Sequence, residues 1–139
     1  MKYVYVIMFL LVSFSSAITF AADPASGNLL SPRANELLNK CNLESRNSLV
    51  SGDLALADKL CTEAIKVIEK SDSNKEFLIN PIMNLAVSYS MAGQFDKAAP
   101  LYNRARDIRK ELYGPDSIQV KEIDETIRKQ EAIKQQRKK

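Results

Sequence analysis

From Arg33 almost to the C-terminus, apolar and small residues recur at steps of three and four. Ala34, Leu37, Leu38, Cys41, Ser45, Ser48 and Leu49 make one such stripe; Leu54, Ala57, Leu60, Cys61, Ala64, Ile65 and Ile68 make a second. This spacing puts each set on one face of an α-helix. Gly52-Asp53 between them predicts a turn, with Asp53 placed to cap the second helix. Ser71–Asn74 (SDSN) is the next break, and Phe77, Leu78, Ile82, Leu85, Ala86 and Tyr89 mark a third helix. Pro81 leaves two readings of its start open. Either Asn80 caps a short helix with Pro81 in its first turn, or a longer helix kinks there. Ala92-Gly93-Gln94 predicts a turn. Phe95, Ala98, Leu101, Tyr102, Ala105, Ile108 and Leu112 then mark a fourth helix, with Pro100 expected near its first turn. Gly114-Pro115 is a stop signal, after which Asp116 or Ser117 can cap a fifth helix carrying Ile118, Val120, Ile123, Ile127 and Ile133. Alternating runs bounded by hairpin turns are missing, so the expected class is all-α.

The N-terminus follows different rules. Lys2 precedes an unbroken apolar run, Tyr3–Val12, and Ser13–Ala22 then turns small and weakly polar. A short positive start, an apolar centre and a small-residue end are the parts of a secretory signal peptide, here residues 1–22 with cleavage near 17–22. An uncleaved membrane anchor is the alternative, since the uncharged stretch is about as long as a bilayer is thick. Both readings export the rest of the chain, to a periplasmic or secreted location. Residues 23–32, with two Pro, one Gly and two Ser, read as a flexible linker.

Composition narrows the chemistry. With 139 residues the chain holds one small domain. It has no His and no Trp, which removes Ser-His-Asp and Cys-His catalysis and every His-ligated zinc site. Phosphate-cradling Gly loops, metal-ligand clusters and nucleophile elbows are missing too, so no catalytic, cofactor-binding or metal-binding residue is nominated. The carboxylates Glu122, Asp124 and Glu125 alternate with Lys121 and Arg128 as a solvated helix face does. A net charge of +3 leaves no general nucleic-acid footprint. Basic character is local: Lys121–Lys139 holds seven Lys or Arg against four Asp or Glu.

Two segments repeat one another. SGDLALADKLCTEAIKV and AGQFDKAAPLYNRARDI align Gly52 with Gly93, Leu54 with Phe95, Ala57 with Ala98, Cys61 with Tyr102 and Ala64 with Ala105, always 41 positions apart. A Gly turn, a large residue two later and small residues at helical steps form a packing code: small side chains let two antiparallel helices approach closely. This pattern resembles the tetratricopeptide repeat. The second copy, NLAVSYSMAGQFDKAAPLYNRARDIRKELYGPDS, is similar to the longer kinesin light chain-type repeat. The resemblance covers Leu85–Asp116 well and Arg33–Lys70 more weakly, because Glu44, Ser45 and Ser48 stand where Leu85, Ala86 and Tyr89 stand in the second copy. It implies a helical domain over 33–139, with hairpins at 33–70 and 75–112 and a capping helix at 116–137.

The same resemblance implies a groove lined by the first helix of each hairpin. It puts Asn39, Asn42, Arg46, Leu49 and Val50 there from the first hairpin, and Met83, Val87, Ser90 and Met91 from the second. Some of these apolar side chains could equally meet the capping helix or a second copy of the chain. The carboxylate clamp of Lys and Asn found in some relatives is not reproduced. The implied function is non-catalytic binding of a protein or peptide segment. The alternative is a small structural or membrane-associated envelope protein using Lys134–Lys139 on anionic lipid. Three repeats are usual for stability, so two repeats call for compensation: the capping helix, a disulfide or a homodimer.

Cys41 and Cys61 are the two thiols of the chain. With a bend at Gly52 they fall at similar heights on facing helices, and Ser45 and Ala57, one turn nearer the bend, would let the axes close up. An exported chain with an even number of cysteines favours a disulfide. Two buried free thiols acting as small apolar filler are the alternative.

Overall fold

A computed structural model describes residues 30–71 and 74–137. The signal peptide read at 1–22 and the linker residues 23–29 lie outside the described residues. Five α-helices lie within them: α1 (Pro32–Ser51), α2 (Ala55–Lys70), α3 (Glu76–Met91), α4 (Phe95–Tyr113) and α5 (Ile118–Gln136). No strand occurs among the described residues.

Local chemistry sets most of the helix ends. Ser31 accepts a hydrogen bond from the Ala34 amide, with Pro32 at the first helical position, where a missing N–H costs nothing. Ser117 does the same for α5 by accepting from the Val120 amide. Asp53 reaches only the Ala55 amide, at 2.9 Å, and the residue that leads into α2 is Leu54. The turns after α1 and α3 contain Gly52 (φ 74°) and Gly93 (φ 75°) in the left-handed region, where a Cβ is strained.

Each neighbouring pair of helices packs antiparallel across these short turns. The small residues of the repeat sit at the contacts: Ala57, Ala64, Ala98 and Ala105 are all buried. Cys41 and Cys61 are fully buried and disulfide-bonded, with Cα atoms 4.6 Å apart. Two apolar clusters run through the domain. One joins Leu30, Ala34, Ile65, Ile68, Leu78, Ile79 and Ile82 to Ala105, Ile108 and Ile123. The other joins Leu37, the disulfide and Ala64 to Leu85, Ala86, Tyr89, Ala98 and Tyr102. Leu30, within the span 23–32 read as a flexible linker, is therefore part of the core.

Several stripe positions are placed differently from expectation. Ile118 and Ile133 lie exposed on α5, which enters the core through Val120 and Ile123, while Leu49 and Leu112 are also exposed. A helix longer than its contact patch turns part of its apolar stripe past the neighbour, and solvent takes the rest. Of the two readings of Pro81, the longer helix is the one formed: α3 runs through it, with Pro81 buried. Pro100 likewise stands inside α4 at its sixth residue, beyond the first turn. Each proline forfeits one backbone hydrogen bond, which the packing around these helices tolerates.

The two hairpins are tied by polar contacts as well as apolar ones. Tyr89 donates its hydroxyl hydrogen to the Asp58 carboxylate at 2.6 Å, and Lys97 stands 5.2 Å from the centre of its ring. Burial, then the Asp58 hydrogen bond, push the Tyr89 phenol up from its usual 10.0 to about 12. The folded state thus holds this proton after the unfolded chain has released it. Stability is full below pH 10 and falls as pH rises from 10 towards about 12. Thermal melting across this range should show a steeper fall for the wild type than for Tyr89→Phe, which has no phenolic proton to lose at this site.

Candidate functional site

α1 and α3 pack side by side, and their outer residues share one face. The seam between them is polar. Ser48 and Ser88 are buried there; they lie oxygen to oxygen at 3.2 Å, and Ser48 donates to the Ser45 carbonyl at 2.7 Å, while the Ser45 hydroxyl turns to the Cys61 sulfur of α2. Asn84 donates its amide to Asn42 Oδ1 at 2.5 Å. Truncating one seam hydroxyl strands its partner away from water, whereas removing both leaves nothing unpaired. Ser48→Ala should therefore cost about 1–2 kcal/mol in urea unfolding, and Ser48→Ala/Ser88→Ala about the same rather than twice as much.

On the open face, α1 presents Asn39, Arg46, Leu49 and Val50 to solvent, with Val50 92% exposed. Asn42 is half-buried because its amide is engaged by Asn84. α3 presents Val87 and Met91, the latter 64% exposed. Two residues assigned to the groove are placed elsewhere. Ser90 is buried and donates to the Tyr102 hydroxyl at 3.3 Å, so it belongs to the α3–α4 contact. Met83 is half-buried and packs against both core clusters. Ser90 turns towards α4, whereas Met83 shares the stripe of Val87 and Met91 but lies one turn deeper along α3, where the core clusters cover it. An open cleft of about 480 Å³ continues the face between the two Gly turns, lined by Leu49, Gly52, Asp53, Met91 and Gln94.

Asn84 and the Ser48–Ser88 pair escaped the sequence reading. A signal existed: equivalent helices lie 41 positions apart, and the seam pairs are separated by 40 and 42 residues. Polar residues recurring near the repeat period are the expected mark of such a seam.

Two cations of the basic end, Lys134 and Arg137, are engaged by the fold itself. Lys134 pairs with Asp96, and the Arg137 guanidinium lies 5.4 Å from the centre of the Phe95 ring, against Gly93. Lys138 and Lys139 lie outside the described residues. No group of His, Cys, Asp and Glu able to hold a metal ion occurs among the described residues, and no helix there is long and apolar enough to cross a membrane.

Stacked antiparallel hairpins closed by a terminal helix, with one face left open, define a helical-repeat protein. A tetratricopeptide repeat family model matches residues 49–120, from the end of α1 into the first turn of α5. The chain belongs to the tetratricopeptide repeat family, whose repeats generally act as non-catalytic scaffolds for protein–protein interaction. No curated protein and no solved structure gives a match.

Proposed function

We propose that this chain is exported and binds a peptide or protein segment on the face shared by α1 and α3, without catalysing a reaction. The observation that carries the reading is the set of solvent-facing apolar side chains on that face: Leu49, Val50, Val87 and Met91. Exposed apolar residues gathered on one rigid face have no role in this fold's own packing, and such patches suit a partner's apolar side chains. The half-buried asparagines beside them supply donors and acceptors for a peptide backbone. The disulfide supports export, because disulfides persist in oxidising compartments. The 41-residue spacing favours the longer, kinesin light chain-like form of the repeat.

The test is crosslinking of the exported protein in its native compartment, wild type against Val50→Asp/Met91→Glu. Met83 is left unaltered because it serves the core. Loss of the crosslinked partners with an unchanged circular dichroism spectrum is the expected result. Partners retained in full would refute the assignment of this face, and a product of twice the chain's mass would show that a second copy covers it.

A further inference from the structure

We propose that the seam between α4 and α5 is a ligand site for a small aromatic carboxylate, its ring in an apolar cleft and its acid group on Arg106. The site lies apart from the α1–α3 face and does not depend on it. Two adjoining clefts form it, and Ile127 lines both. The first, of about 120 Å³, has apolar walls from Phe95, Ala98, Ala99, Tyr102 and Ile127. An apolar space of this order holds one six-membered ring. Glu131 and Lys134 bring one charge of each sign to it, so it has no net charge of its own. The second cleft gathers Arg106, Lys121 and Arg128 against a single carboxylate, Asp124.

Both clefts hold unfinished hydrogen bonding. Among the described residues, two buried side-chain polar atoms have no hydrogen-bond partner: Arg106 Nε and Gln130 Oε1. Arg106 lines the basic cleft and Gln130 the apolar one. Such atoms are rare in folded proteins, because each forfeits the water it left. Finding both along one seam marks a place where a partner is missing. Arg106 has two carboxylates near it, Asp107 at 3.7 Å and Asp124 at 3.6 Å. Both stand beyond hydrogen-bond distance, so its donors remain unspent. Lys121 and Arg128 have no carboxylate within ion-pair distance among the described residues. They offset the repulsion of Asp124 and leave the cleft with a surplus of positive charge.

Spacing sets the size of the ligand. Tyr102 and Arg106 are one turn apart on α4, a rise of about 6 Å. A ring joined to a carboxylate by two methylenes spans that distance. The planar guanidinium also suits a planar carboxylate, which it meets through parallel hydrogen bonds. A bare anion leaves the apolar cleft empty, and an uncharged ring leaves Arg106 without its partner.

Hydrocinnamate, a phenyl ring two methylenes from a carboxylate, is the probe, added to the isotope-labelled full chain and followed by backbone amide NMR. Saturable shifts should centre on Ala99, Tyr102, Arg106 and Ile127. Half-saturation should fall near or below about 1 mM, the strength ordinary for a ligand of this size. Propionate and hydrocinnamyl alcohol, which keep only the head or only the ring, should bind at least about fivefold more weakly. Ala99→Trp, which fills the ring cleft from an exposed position, should cost as much. Arg106→Gln should lose the same factor for hydrocinnamate and nothing for the alcohol, a difference that misfolding would not produce. Equal affinity for the acid and the alcohol, or for wild type and Arg106→Gln, would overturn the proposal. So would shifts centred on the α1–α3 face, or none that saturate. Val50→Asp/Met91→Glu should bind the probe as the wild type does, so this site and the peptide-binding face stand or fall separately.

Discussion

Replacing Cys41 and Cys61 together with alanine should lower the unfolding midpoint of this domain by roughly 15 °C, the product of a loss of about 3 kcal/mol and a shift of about 5 °C per kcal/mol at this size. The bridge closes a loop with a sequence separation of 20 and has no solvent exposure. On the chain-entropy account, a cross-link of this span removes conformations from the unfolded chain, and cutting it returns them. The effect is large here because the chain has two hairpins where three repeats are usual for a stable stack. It is also directed: the bridge joins α1 to α2, and α1 supplies Arg46, Leu49 and Val50 to the open face. Thermal melting with and without a dithiol reductant, alongside the Cys41→Ala/Cys61→Ala variant, measures it. A midpoint unmoved by either treatment would show that helix packing alone holds the first hairpin.

Tyr102→Ala should be at least as damaging, at roughly 3–5 kcal/mol, the range seen when a buried aromatic side chain is truncated. Tyr102 is 1% exposed, one of the bulkiest side chains in the core, and it stands where α4 meets α3 and the cap. Its ring packs with Ala86, Tyr89 and Ala98, and Ile127 of α5 lies against the same cluster. The cavity left by alanine would open to both neighbours at once. Tyr102→Phe keeps the ring and removes only the hydrogen bond donated by Ser90, so it should cost about 1 kcal/mol. Urea unfolding of the two variants separates packing from hydrogen bonding, and equal losses would contradict the packing account. A domain of this size has about 5–15 kcal/mol in total, so Tyr102→Ala should leave a measurable unfolded population near 37 °C.

The repeat was legible in the sequence because it rests on steric rules that act locally. Gly52 and Gly93 take the left-handed conformation, and Ala57, Ala64, Ala98 and Ala105 are buried at the helix contacts. Both follow from residue size alone. The disulfide was legible for the same reason, since the turn fixed the register of α1 against α2. The face was legible only in part. Periodicity reports which residues share a side of a helix, but it does not say which neighbour covers that side. Ser90 and Met83 both fell to contacts across α3 that the helical step alone could not assign.

Local stereochemistry therefore suffices for the five helices, their turns and the pairing of each hairpin, since propensity, capping and side-chain size act within a few residues. Tertiary packing decided the rest. It decided that Leu30 joins the core, that Pro81 and Pro100 sit inside helices, that a polar seam of serines and asparagines joins α1 to α3, and that Lys134 and Arg137 fold back on the second hairpin. Those outcomes depend on which surfaces meet in space, where burying one side chain leaves its neighbour on the same stripe exposed.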